Sequence, residues 1–216
     1  LSLVASLLSF FIYPLAVLLI QVNDFITMIL LKAVALSASF PYASFFVSTP
    51  TAFEIILFYL LLLMAAHLRK GKGVRYLLLG CCIALVLNFA FWNTKQWFQK
   101  KLVITFIDVG HGDSILIEFP KGKRMLIDGG GLREDRFDIG KNVIAPFLWN
   151  KKIRKIDLLV LTHPDPDHLK GLNFVASHFS IGQFWESGFR VGSESYLRLE
   201  KTLSENQIHR SLLDEN

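Results

Sequence analysis

Two cysteines in 216 residues are too few for a disulfide framework. They are neighbours, Cys81 and Cys82, which cannot easily pair with each other. No Cys or His stands at zinc-knuckle spacing from them, so both read as small apolar packing residues. With 14 glycines and 7 prolines there is no collagen-like or low-complexity stretch. Charge is scarce, at 19% of residues against 52% hydrophobic, and the mean hydropathy is +0.43. A disordered chain shows the opposite balance, and a wholly water-soluble globule is a poor fit. There is no basic tail. The net charge of +5 is spread over the chain, so charge alone does not argue for nucleic acid. No internal repeat is present.

The charge that exists is unevenly placed. Residues 1–94 hold only Lys32, Arg69, Lys70, Lys72 and Arg75 against Asp24 and Glu54. All the rest follows residue 94. One part suits lipid and the other suits water. The sequence opens on Leu1 inside an apolar run and closes at Asn216 in or just after a helix-like stretch, so a piece of a longer protein is expected.

Three runs are long enough to cross a hydrocarbon core, which takes ~17–25 apolar residues. They are Leu3–Ile20, Thr51–Leu68 with its one acid Glu54, and Tyr76–Trp92. The first is no signal peptide, since no basic segment precedes it and no small-residue cleavage site follows. Val22–Pro41 is apolar but carries Asn23, Asp24 and Lys32, and reads as a separate helix lying in the interface. Arg69, Lys70, Lys72 and Arg75 crowd one short loop. By the positive-inside rule that loop is cytoplasmic, and everything after Asn93 lies outside. Trp92 and Trp97 suit an outer interface belt.

From Leu102 the pattern changes to short β-branched and aromatic runs: Leu102–Val109, Ser114–Phe119 and Arg124–Asp128, with turns at Gly110–Asp113 and Pro120–Lys123. Gly129, Gly130 and Gly131 close this hairpin-rich edge. Asn142–Trp149 reads as a helix interrupted by Pro146. Ile156–Leu161 is a buried strand, and Leu169, Leu172, Val175, Ala176 and Phe179 mark one face of a helix. Gln183–Trp185 reads as a further strand and Glu194–Leu213 as a final amphipathic helix. The order suggests an α/β layer.

The chemistry concentrates in Thr162-His163-Pro164-Asp165-Pro166-Asp167-His168. In an extended chain His163, Asp165 and Asp167 point to one side, and Pro164 and Pro166 forbid a helix across them. Mixed imidazole and carboxylate suits zinc, manganese or iron. So dense a cluster can hold two ions that clamp the attacking and leaving oxygens of a phosphodiester. Asp167 alone would be no more than a helix cap. Lys151, Lys152, Arg154 and Lys155 read as a solvated basic face. His111, between two glycines, reads as a solvated loop residue, and His67, His178 and His209 have no partners in sequence.

This cluster resembles the His-x-His-x-Asp-His signature of the metallo-β-lactamase fold, with Asp165 in place of the second His. That replacement is typical of the membrane-anchored ComEC DNA-uptake proteins. Phe106-Ile107-Asp108-Val109-Gly110-His111-Gly112-Asp113-Ser114 is similar to that family's Asp-Val-Gly-Gln-Gly-Asp stretch. Leu126-Ile127-Asp128-Gly129-Gly130, Asp138-Ile139-Gly140 and Ile156-Asp157 to Thr162 match it as well. The fold implied is a multi-span α-helical membrane segment followed by a truncated α/β domain (αββα, metallo-β-lactamase-like). Residues 1–94 would be transmembrane helices of the channel domain, 95–101 a linker, and 102–216 the N-terminal half of the metal domain.

The resemblance implies a membrane component of DNA uptake in natural transformation. Its metal-dependent phosphodiesterase or nuclease domain would act on DNA outside the cell membrane. Its partners would be DNA, the lipid membrane and other proteins of the uptake machinery. His163 and Asp165 would bind one divalent ion and Asp167 and His168 a second, with Asp167 also orienting or deprotonating the attacking water. A full site would hold two ions, manganese or zinc, and the carboxylate of Asp165 shifts the preference towards manganese or magnesium. Asp128 would grip the loop that carries the ligands, with Asp108 and Asp113 near the same face. The family's later ligands have no convincing match, and His178 and His209 stand in only by default. The piece is therefore expected to bind metal weakly or not at all. Two other readings stay open: a channel component whose metal domain is only a scaffold or DNA guide, and an unrelated membrane-anchored metallo-hydrolase.

Overall fold

A computed structural model describes residue 6 and residues 12–41, 43–67, 71–132 and 137–212. They form two compact units, Leu1–Phe46 and Val47–Asn216. The first contains helix α1, Tyr13–Ser39, with Pro14 in its opening turn. Pro is favoured there because its missing N–H would be unpaired anyway. The sequence suggested a span over Leu3–Ile20 and a separate interfacial helix from Val22. Instead α1 runs on through Gln21, Asn23 and Asp24 for 27 residues, about 40 Å. None of those side chains breaks a helix, and neither Gly nor Pro stands at that point. Of the residues before Ile12, only Ser6 lies within the described part.

In the second unit, helices α2 (Ala52–Ala66) and α3 (Lys72–Lys95) pack together. The Thr51 hydroxyl accepts the Glu54 N–H at 3.3 Å while the Glu54 carboxylate accepts the Thr51 N–H at 2.7 Å, which satisfies two open donors at once. The same carboxylate accepts from Asn88 Nδ2 of α3 at 2.7 Å and from Lys152 Nζ at 2.6 Å. The one acid in this apolar stretch is thus fully engaged. At 15 residues, α2 is about 22 Å long, short of the ~30 Å hydrocarbon core. Among the described residues, two helical stretches, Tyr13–Ser39 and Lys72–Phe98, are long and apolar enough to cross a membrane. Residues 68–70, in the basic loop, lie outside the described part.

The sheet begins just past α3. Strands β1 (Val103–Phe106), β2 (Ile115–Glu118) and β3 (Arg124–Ile127) are antiparallel, as the hairpin-like sequence suggested. β4 (Lys155–Leu161), β5 (Ser180–Glu186) and β6 (His209–Leu212) then add in parallel, in chain order. Leu116, Leu126, Leu159 and Phe184 stand side by side across the register and are fully buried. They share one core with helices α4 (Ala145–Asn150), α5 (Pro166–His178) and α6 (Glu194–Glu205). The apolar face read for α5 is buried throughout. The opposite sheet face carries Ile104 and Phe106, 51% and 75% exposed. The αββα reading implies two sheets; the described residues form one, with helices over one face.

Three local readings change. Pro146 does not interrupt the helix: a π turn at Gly140–Ile144 runs straight into α4, with the Ala145 N–H on the Gly140 carbonyl. The missing N–H of Pro146 falls where the helical register shifts, so it disrupts nothing. The last helix stops at Glu205. Gln207, at φ 53, turns the chain, and His209–Leu212 pairs with β5. The burial period of α6, Tyr196, Leu199 and Leu203, has ended by then. The basic run is a solvated face only at Arg154 and Lys155, which are exposed. Lys151 pairs with Glu118, and Lys152, 12% exposed, pairs with Glu54.

Candidate metal centre

The bend Thr162–Asp165 leaves the end of β4 and feeds the first turn of α5. Asp165 is the N-cap residue by backbone geometry, yet its side chain makes no capping hydrogen bond. Its carbonyl accepts from the His168 and Leu169 N–H groups at 3.0 and 2.9 Å. The carboxylate instead lies 3.5 Å from His163 Nε2. The helix start is held by backbone and proline, which leaves both Asp165 and Asp167 for other work.

Behind the bend sits Asp128, 3% exposed, at the end of β3 with φ 57. Asp tolerates this left-handed backbone better than most residues. Asp128 Oδ1 accepts the Thr162 N–H at 2.9 Å and Oδ2 accepts the Thr162 hydroxyl at 2.7 Å. His168 Nδ1 donates to Oδ2 at 2.9 Å. Having donated its hydroxyl hydrogen to Asp128, Thr162 Oγ1 accepts from His163 Nδ1 at 2.9 Å. One buried carboxylate therefore orients both imidazoles, one directly and one through Thr162. Each ring keeps the Nε2 lone pair for an outside partner, the usual arrangement for metal-bound histidine. The rings lie 3.8 Å apart, centroid to centroid.

Asp167 Oδ2 is 4.0 Å from His168 Nε2 and 4.0 Å from His111 Nε2. The sequence reading left His111 aside. Its position in a Gly-His-Gly turn was the available signal, because such a turn can be pressed against another loop. Gly112 shows how closely: a Cβ there would lie 1.8 Å from the Asp167 carbonyl oxygen. On the other side the Gly129 N–H donates to the His168 carbonyl at 2.7 Å. A Cβ at Gly131 would meet the Pro166 carbonyl at 2.0 Å. The glycines thus seat two loops on the first turn of α5.

Asp108 and Asp113 are exposed, and among the described residues neither carboxylate has a hydrogen bond or ion pair with the bend. Asp108 Oδ1 accepts the Gly110 N–H at 3.2 Å, an Asx turn that shapes its own loop. Asp113 contributes its backbone carbonyl, which accepts the Gly130 N–H at 2.9 Å.

The donor set suits a divalent ion: two oriented imidazoles and two carboxylates that do not cap the helix. They are neighbours pair by pair and do not form a closed shell. Among the described residues no group of three or more His, Cys, Asp or Glu side chains is gathered to hold an ion.

Residues 107–191 match the Metallo-beta-lactamase superfamily. The chain is also 30% identical over 133 residues to "ComE operon protein 3" of Bacillus subtilis (strain 168). The alignment covers 56% of this chain and 17% of that protein, so the chain spans about a sixth of that relative's length. Superfamily members generally bind divalent metals, and the Asp128-backed bend lies inside the matched residues. With the α/β sheet and this bend, the two matches make residues 107–191 similar to the metallo-β-lactamase superfamily and the chain similar to a stretch of that ComE operon protein.

Proposed function

We propose that this chain is part of a membrane component of DNA uptake whose domain at residues 102–216 hydrolyses phosphodiester bonds in DNA. Residues 1–94 would belong to the channel, 95–101 would link the two, and the hydrolytic domain would face the outer side of the membrane. The observation that carries this reading is the bend itself. His163 lies beside Asp165 and His168 beside Asp167 within six residues of chain, and Asp128 fixes both imidazoles from behind. His163 with Asp165 would hold one ion, and Asp167 with His168 a second. A bound divalent ion supplies Lewis-acid polarisation of the phosphodiester. Manganese or magnesium suits the harder, carboxylate-rich donor set better than zinc.

The chain's own groups supply the rest. Asp128 Oδ2 holds Nδ1 of His168 from behind, so Nε2 faces the reacting side. Asp167 Oδ2 lies within reach of both His168 and His111 and would accept the proton of the attacking water. Asp167→Ala is expected to lower manganese-dependent cleavage of single-stranded DNA by at least about 100-fold, the scale of a lost general base. Cleavage is read on end-labelled oligonucleotide, with the protein's retention of DNA unchanged. Undiminished cleavage by the variant would refute the assignment.

One observation favours a second reading. Because no three donors are gathered into a shell, the domain could serve the channel as a scaffold that guides DNA without cutting it. Under that reading Asp167→Ala leaves both degradation and uptake as they are.

A further inference from the structure

The basic run at Lys151–Lys155 has no part in the metal centre. It forms one wall of an open cleft of about 520 Å³, within the range of small-ligand sites, ~300–1,000 Å³. The end of α3, the β2–β3 turn and the segment leading into β4 enclose it. Lys95, Arg124, Lys151, Lys152, Arg154 and Lys155 line the cleft, against one carboxylate, Glu118. It shares no lining residue with the bend at 162–168.

These cations are not equivalent. Glu118 and Glu54 engage Lys151 and Lys152, and Asp157 lies 3.3 Å from Lys155. Lys95 Nζ sits 4.6 Å from the Trp92 ring centre, and Trp92 also lines the cleft. Arg154 is exposed and gives its Nε–H to Ser48 Oγ at 2.8 Å; among the described residues nothing hydrogen-bonds its terminal nitrogens. Arg124 is half-buried, and among the described residues nothing hydrogen-bonds its guanidinium. Burial pulls this group below its ordinary range, against the opposing pull of Glu118 and Asp157. An anion in the cleft would relieve that burden. Planar guanidinium matches phosphate oxygens two at a time.

The surroundings decide which phosphate. The cleft opens at the last turn of the apolar stretch Lys72–Phe98. Beside it Trp97 and Phe98 are 69% and 76% exposed, and large aromatic side chains of this kind suit the headgroup level of a bilayer. A nucleic acid reaching the cleft would have to run alongside these apolar groups. A lipid headgroup arrives with its acyl chains beside α3.

We propose that this cleft binds the phosphate of an anionic phospholipid headgroup, with Arg124 and Arg154 as its principal donors and Trp92 as its apolar wall. The proposal rests on the membrane reading of α3 and not on the hydrolytic reading of the bend.

The test uses the whole purified chain, mixed with equal amounts of phosphatidylglycerol and phosphatidylcholine in detergent micelles. Retained lipid is counted by native mass spectrometry. Phosphatidylglycerol is expected to be retained about tenfold over phosphatidylcholine. The double variant R124Q/R154Q should lose most of that preference. Because Arg124 is half-buried, K95Q/R154Q, at two exposed positions, provides a second variant expected to move the same way. Equal retention of the two lipids, or an unchanged preference in both variants, overturns the proposal. So does a short single-stranded DNA whose retention falls in the variants while lipid retention stays put, since the cleft would then serve nucleic acid. Partition of the chain into neutral vesicles, measured alongside, separates the two premises. Normal partition without lipid preference sinks the cleft alone, and no partition sinks the membrane reading under it.

Discussion

Gly171→Ala is expected to lower the melting temperature by about 10 °C, equivalent to about 3 kcal/mol in a chain of this length. Intrinsic helix propensity argues the other way, since alanine is the better helix former by ~1 kcal/mol. The site reverses that preference. Gly171 lies buried in the middle of α5, and an added Cβ would sit 1.9 Å from the carbonyl oxygen of Gly129. Gly129 is equally close on its side, its own Cβ position falling 2.5 Å from the Leu172 nitrogen. Both obstacles are backbone, which cannot rotate away as a side chain can. Relief requires α5 to move off the end of β3, away from a core that includes Leu126, Leu169 and Leu172. The same movement would pull His168 from Asp128. The variant is therefore expected to lose stability and metal affinity together. An unchanged or higher melting temperature would show that the helix and strand do not pack as closely as described.

Asp128→Asn is expected to weaken metal binding by about 10–100-fold, the usual cost of losing the partner behind a ligating histidine. It should cost less stability than Asp128→Ala. Asn accepts the left-handed backbone at φ 57 as readily as Asp does, and its amide oxygen can still take the Thr162 N–H. What it lacks is the second acceptor. Its NH₂ would face the Thr162 hydroxyl and His168 Nδ1, which currently share Oδ2. Thr162 would then turn its hydroxyl hydrogen elsewhere, and His163 would lose its fixed orientation. Both rings are disturbed by one isosteric change. Manganese affinity read by electron paramagnetic resonance, beside a thermal melt, checks this. A full loss of folding with no separate effect on affinity would make Asp128 a structural acid only.

Much of this was readable from residue order. The antiparallel β1–β3 edge followed from β-branched runs cut by Gly and Pro turns, where local chemistry decides the outcome. The bend at 162–168 was legible because two prolines exclude helix and leave an extended chain. Other features depend on contacts distant in sequence. The helix ends at Glu205 in a local cap, with the Gln207 N–H on the Ser204 carbonyl and the Ile208 N–H on the Leu203 carbonyl, but Gln stands where Gly would have signalled it, and β6 exists because β5 offers it an open edge. Lys152 looked solvated until Glu54, 98 positions earlier, came beside it. The continuity of α1 was misjudged for another reason: scattered polar residues lower hydropathy without breaking a helix. His111 was passed over because its neighbour Asp167 comes from the first turn of α5, more than fifty residues later, and only the glycine at 112 hinted at the approach. Asp108 and Asp113 share a loop with His111 but not its position.

The most direct test follows the histidine ring resonances of the whole chain by NMR while manganese is added in small steps, since paramagnetic broadening reports even weak binding. His163 and His168 are expected to broaden first and together, with His111 next and His67, His178 and His209 last. Broadening that starts at any of those last three, or that spreads evenly over all six histidines, would contradict a divalent-ion site at the bend.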